Sequence, residues 1–274
     1  DGLHPKYSNR VPESWHPMEE VDWQVKKQDS PQLLKRWPVT VEDGGGTLLF
    51  SDSPEYVEQD GILYSDVVTG AGRIFYYHLN NTRQNKKIAV VLENVNREAL
   101  SAPSDNYLWV GKTTQQAYME SKVNRNVFVF PNRKAILSNK MTETVVRPGQ
   151  LVNGIYDFTA DGPVRLSVIM YPAGANPIEF MKKAKVLPKD EHRLRGTYKG
   201  MNRIIRAEKA YNPQQDGAVF IPLADNDRDV YRYGIDATDG SETQNYGNYG
   251  IMYELQVPVK GTGDVQYILQ PLGG

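Results

Sequence analysis

Apolar residues alternate with polar ones in short runs along most of this chain, at the period of two expected for strands. The densest stretch is Gly61–Asn94. Within Arg73–Asn80, Phe75, Tyr77 and Leu79 share one face, and Ile74, Tyr76 and His78 the other. Ile88, Val90 and Leu92 alternate with Ala89 and Val91 in the next run. Both runs are apolar on both faces, so both belong inside a sheet rather than at its edge. A polar loop joins them, and the pattern predicts a central hairpin.

Further runs predict strands at Thr47–Phe50, Ile62–Val68, Tyr107–Val110, Asn126–Phe130, Thr142–Val146, Leu151–Phe158 and Val164–Tyr171. Beyond these come Leu194–Tyr198, Ile204–Ala207, Ala218–Leu223 and Tyr231–Ile235. Ile251–Val259 has the clearest alternation and is expected to form a hairpin with Val265–Leu269. Turn residues stand between the runs: Asn132, Pro148-Gly149, Asp161-Gly162-Pro163 and Pro172-Ala173-Gly174. Two short helices are expected, at Thr113–Lys122 and Pro177–Val186. The second carries Asn176 as N-cap, Pro177 in the first turn and Glu179 three residues after the cap. Strands of this length and spacing predict an all-β fold: an antiparallel, jelly-roll-like β-sandwich of one large or two abutting units.

Residues 1–46 break the pattern. Pro5, Pro12, Pro17 and Pro31 exclude a continuous ladder or helix. Trp15, Trp23 and Trp37 each need a surface to bury against. The expectation is an extended arm over residues 1–46, docked on its own domain or on a neighbouring subunit as an assembly element. A β-sandwich domain over 47–187 follows, then a second β unit over 188–274 that can belong to the same sandwich. The arm is also the expected cover for the outer face of the central hairpin, over Ile74, Tyr76 or Val91.

Composition narrows the function. The 32 basic and 33 acidic residues nearly cancel and are mixed along the chain, so no basic stripe points to nucleic acid. No apolar run approaches the about 20 residues of a membrane helix. The absence of cysteine removes disulfides, thiolate metal sites and a cysteine nucleophile. It also favours an exported protein, as do the many Asn, Tyr and Gly residues, and the start at Asp1 without Met is that expected of a processed or trimmed chain.

Candidate chemistry is sparse. His78 shares its strand face with Tyr76, which makes the pair a candidate ligand-binding surface, with a hydrogen-bonded structural histidine as the plainer reading. His4, His16 and His192 show no metal-ligand spacing, and no nucleophile elbow is present. Asp225, Asp227 and Asp229 offer hard oxygen ligands for calcium, although Val230 stands where a helical calcium loop needs glycine. A solvated loop is the alternative. Tyr246 and Tyr249, in the tandem Asn245-Tyr246-Gly247-Asn248-Tyr249-Gly250, pair aromatic rings with amides as glycan-binding surfaces do. Turn chemistry accounts for the same asparagines and glycines.

Ser53-Pro54-Glu55, Gly61–Tyr64, Arg73–Asn80 and the closing N-Y-G-I-M-Y…L-Q-P-L-G-G resemble a region of secreted bacterial proteins. Those proteins often also carry a stalk domain named for its similarity to the N-terminal domain of copper amine oxidases. The resemblance covers about residues 47–274 and implies export and a cell-surface setting. It implies no amine oxidase activity: Tyr246 and Tyr249 are each followed by glycine, and no histidine cluster stands in the sequence. The combined expectation is a non-enzymatic, secreted or cell-surface structural protein that forms a homo-oligomer through its arm. The alternative is an extracellular carbohydrate-binding or glycan-active protein.

Overall fold

The computed structural model of the chain describes residues 34–95, 100–109 and 125–269, with the backbone alone at 100–109 and 125–126. The fold is all-β and sandwich-like, with two short helices among the described residues. The first strands are β1 (Lys35–Arg36), β2 (Val39–Gly44), β3 (Thr47–Ser51), β4 (Tyr56–Val57), β5 (Gly61–Asn80) and β6 (Lys86–Asn94). Then come β7 (Leu100–Trp109), β8 (Arg125–Val129), β9 (Lys134–Ile136), helix α1 (Asn139–Glu143), β10 (Leu151–Pro172) and helix α2 (Pro177–Met181). The last are β11 (Arg195–Lys199), β12 (Asn202–Ala207), β13 (Val219–Phe220), β14 (Arg232–Asp236), β15 (Ser241–Asn245) and β16 (Met252–Gln256).

These elements fall into two compact units. One takes its described residues from 34–40, 205–222 and 255–269, the other from 41–204 and 223–254. An 11-stranded sheet has the order β15-β14-β11-β3-β5-β10-β6-β9, with β4 on β5, β7 on β10 and β8 on β7. A three-stranded sheet has the order β16-β12-β2. Strands on both sides of residue 187 therefore share the large sheet.

The central hairpin is replaced by a different arrangement. β5 and β6 do not pair with each other; β10 lies between them, antiparallel to both. β10 is a single strand of 22 residues where two runs and a turn were expected. Its register against β5 shifts between Ala160 and Val164, which absorbs Asp161-Gly162-Pro163 as an irregularity within the ladder. Proline is tolerated in a strand at such a break. Before the break β10 pairs with β5 and β7, and after it with β5 and β6.

Every side chain from Ile88 to Leu92 is at most 1 % exposed, so both faces of β6 are covered. Ile74, Tyr76 and Val91 belong to one hydrophobic cluster with Leu63, Leu137, Met141, Val146, Tyr156 and Val168, all of this same unit. Whether residues 1–33 add a further cover lies outside the described residues. The cluster is built partly from glycine–aromatic pairs across strands. Gly154 faces Tyr76, and a Cβ there would stand 2.4 Å from the ring; Gly72 faces Phe158 with the same spacing. A side chain at either position would collide with the ring that fills its space.

Three other expectations are corrected. Thr142–Val146 is not a strand: its start lies in α1, whose Met141 is buried in the core, and Val146 makes an isolated bridge to Lys86. The Ile251–Val259 strand shortens to β16, whose residues are half-buried or exposed, so it lacks a fully buried face. Val265–Leu269 forms no strand, and Tyr267, Ile268 and Leu269 are exposed. Helix α2 begins as expected: the Asn176 side chain accepts from the backbone N–H of Ile178 (2.9 Å) and Glu179 (3.1 Å). The Thr113–Lys122 helix, Val110, Trp15 and Trp23 lie outside the described residues.

Trp37 is the centre of the smaller unit rather than a docking side chain. It is 1 % exposed, its indole N–H donates to the Lys209 carbonyl (3.3 Å), and its ring meets Tyr211 edge-on at 5.6 Å. The Lys209 ammonium lies 4.3 Å from its ring centroid, a cation–π contact. Backbone bonds from Tyr211 to Pro258 and from Lys260 to Tyr211 tie the 255–269 segment to the same residue.

Candidate functional site

The candidate site in the larger unit is built on the loop after β3. Its anchor is His78, which is fully buried on β5. His78 Nδ1 lies 2.9 Å from the Pro54 carbonyl and Nε2 lies 2.9 Å from Ser51 Oγ. A carbonyl only accepts, so Nδ1 carries the proton and Nε2 accepts from the Ser51 hydroxyl. Burial lowers the imidazole pKa to about 4, against a partial upward pull from the Pro54 bond and Asp190. His78 is a neutral strut. Tyr76 is likewise 0 % exposed, its ring stacked on Tyr156 at 6.2 Å. The expected ligand surface of Tyr76 and His78 is thus corrected: both side chains are sealed on their shared face of β5, and no solute reaches either.

Asp190 fixes the other side of the loop. Its carboxylate accepts from Ser53 Oγ (2.8 Å), the Glu55 N–H (2.8 Å), the His192 N–H (3.1 Å) and the Arg193 N–H (3.1 Å). Arg195, 3 % exposed, donates to the carbonyls of Ser53 (3.3 Å), Leu63 (3.0 Å) and Leu187 (2.8 Å), and to Asp236 (2.8 Å). The loop is held at every turn, which preorganises the two acids it carries.

Those acids are Asp52 and Glu55. Burial, and then the nearby Asp190 charge, push the Asp52 carboxyl well above the usual carboxylate range. Asp52 Oδ1 is shielded from solvent without a hydrogen-bond partner. Burial and Asp190 raise Glu55 too, against a downward pull from His192. Two tyrosines feel their charge. Tyr77, from the opposite face of β5 to His78, has its phenol raised by burial and then by Glu55, Asp52, Tyr249 and Tyr56. Tyr249 is raised by burial, then by Asp52, Tyr231 and Glu55. Asp52 and Glu55 thus act on both phenols, and Tyr249 acts on Tyr77, so the two tyrosines lie within electrostatic range of the same two acids.

The tandem Asn245–Gly250 explains how Tyr249 is presented. Asn245 is fully buried; its amide donates to the Tyr249 carbonyl (2.8 Å) and accepts from the Tyr249 N–H (2.9 Å). Asn248, 2 % exposed at φ 53°, accepts from the Arg232 N–H (2.9 Å) and donates to the Tyr253 hydroxyl (2.9 Å). Both amides are used to shape the turn. Tyr246 and Tyr249 stay 54 % and 51 % exposed. Tyr249 leans on Phe50 at 6.1 Å, and Tyr246 meets Tyr231 edge-on at 6.0 Å. The structure thus brings Tyr249 within electrostatic range of Asp52 and Glu55, two acids that the sequence does not mark as site residues. The S-D-S-P-E stretch was visible, but Asp190, which raises both, is far away in sequence.

The calcium candidates do not converge. Asp229 is fully buried against Arg203, and its carboxylate also accepts from the Ala224 N–H (2.5 Å). Asp225 Oδ1 accepts from the N–H groups of Asp227 (3.1 Å), Arg228 (3.1 Å) and Asp229 (2.9 Å). The carboxylates turn the loop and pair Arg203 instead of pointing to one centre. Among the described residues, no group of three or more His, Cys, Asp or Glu is arranged to hold a metal ion. A cleft of about 360 Å³ beside Asp60, Phe180 and Lys183–Pro188 shares no residue with the tyrosine face. No helix of the described residues is long and apolar enough to cross a membrane. No protein-family model, curated protein or solved structure matches the chain.

Proposed function

We propose that this is a non-enzymatic, cell-surface protein that binds a neutral or amino-bearing glycan on the Tyr77–Tyr249 face. The observation that carries the reading is Tyr249, half exposed on a turn fixed by the buried Asn245 clamp and within electrostatic range of Asp52 and Glu55. Tyrosine rings offer flat apolar faces for the C–H side of a sugar ring, and carboxyl groups bond its hydroxyls. Tyr246 and Tyr231 extend the aromatic surface beyond one sugar. The acids disfavour anionic polymers by like-charge repulsion.

Catalytic hydrolysis fits the same residues less well. Glycoside cleavage needs two carboxyl groups flanking the bond from opposite sides. Asp52 and Glu55 come from a single loop whose backbone is held by Asp190 and Arg195. The expected assembly role of the arm stays a proposal for Trp15 and Trp23, while Trp37 is committed to its own unit.

A glycan array probed with the wild type and with the Tyr246→Ala/Tyr249→Ala double variant tests the reading. The expected result is retention on neutral or amino glycans that the double variant loses. Equal retention by both proteins, or binding confined to anionic glycans, refutes it.

A further inference from the structure

The exposed apolar side chains gather in two further places. One is β8. Val129 points inward and is 1 % exposed, while Phe128 and Phe130 are 63 % and 64 % exposed on the other side of the alternation. β8 pairs with β7 along one edge and, among the described residues, with no strand along the other. An edge unpaired among the described residues and flanked by outward aromatics is a template for an added strand. Arg133, exposed just beyond its end, places a positive charge there.

The other place is the segment 264–269. Val265-Gln266-Tyr267-Ile268-Leu269 is uncharged, free of proline and glycine, and rich in residues that favour strands. It pairs with nothing among the described residues, and Tyr267, Ile268 and Leu269 are 76 %, 77 % and 68 % exposed. Asp264 precedes it and brings the opposite charge.

We propose that residues 264–269 of one copy add as an antiparallel strand, in a second copy, to the edge of β8 that no described strand occupies. Antiparallel pairing sets Asp264 at the Arg133 end and the Tyr267–Leu269 cluster along the edge. Phe128 and Phe130 lie on the same outward face as the alternate side chains of the added strand. A second copy is the occupant because the chain carries both halves, matched in length, apolar character and charge. The two halves differ, so the contact is head-to-tail, and each open assembly keeps one free edge and one free tail. Five large side chains bury on the order of several hundred Å² per joint, at the small end for a specific interface. Growth is therefore reversible and concentration-dependent.

Sedimentation velocity from about 1 μM to about 1 mM tests this, on the wild type and two surface variants. The edge variant is Phe128→Ser/Phe130→Ser and the tail variant is Tyr267→Ser/Ile268→Ser/Leu269→Ser; retained wild-type thermal unfolding shows that each folds. The wild type is expected to grow beyond a dimer as concentration rises, and each variant alone to stay monomeric. Mixed together, the variants are expected to form a one-to-one dimer that grows no further, because one intact edge and one intact tail remain. A monomeric wild type across the range overturns the proposal. So does growth that stops at a dimer, or a mixture that stays monomeric.

Discussion

Protonating His78 is expected to unfasten the loop that carries Asp52 and Glu55. The imidazole is buried between Ser51 and Pro54, and burial moves its pKa from the ordinary 6.5 to about 4. At about 1.36 kcal/mol per unit, that shift corresponds to about 3 kcal/mol of stability in full, most of it lost by pH 4.5. The folded pKa is depressed, so the contribution is complete above pH 6.5 and is lost as the pH falls towards 4. Urea unfolding of the wild type and His78→Gln at pH 7.5 and pH 4.5 isolates it. Asp52 and Glu55 titrate in both proteins and cancel in the difference. The wild type's advantage over the variant is expected to shrink by about 2–3 kcal/mol between the two pH values. An advantage that stays constant with pH, or a His78 imidazole that titrates near 6.5 by NMR, refutes the neutral-strut reading.

Asp52→Asn tests the opposite sign. The folded pKa of Asp52 is raised, so the stability it lends is present at low pH and lost as the pH rises through the folded value. The variant is expected to be more stable than the wild type at pH 8 by on the order of 1–3 kcal/mol, with the gap closing towards pH 4, as read by thermal unfolding. Gly154→Ala drives a methyl to 2.4 Å from the Tyr76 ring, and Tyr76 is sealed on all sides. It is expected to cost about 1–3 kcal/mol in denaturant unfolding, whereas Gly174→Ala, with open space around it, stays within about 0.5 kcal/mol.

The local pattern of the chain carried the strand content and the capped start of α2, because alternation and capping are short-range properties. It did not carry the order of strands. β5 and β6 are neighbours in sequence and complementary in pattern, yet β10 fits between them because it too is apolar on both faces. Asp161-Gly162-Pro163 has the residues of a turn, but pairing on both sides of it keeps the strand running. At the site, Tyr249 was legible because its turn is local. The roles of its asparagines were not: the amides hold backbone instead of facing outward. Asp52 and Glu55 were hidden because their perturbation comes from burial and from Asp190, which reaches them only through the tertiary fold.

The most direct measurement of the central claim follows the tyrosine ring signals by NMR during titration with a soluble N-acetylglucosamine oligomer. The predicted result is selective shifts of Tyr77 and Tyr249, with Tyr246 following for longer oligomers. Tyr249→Ala is expected to weaken the affinity about tenfold, or about 1.4 kcal/mol. Shifts confined to other tyrosines, or an affinity unchanged in Tyr249→Ala, would contradict the assignment of the site.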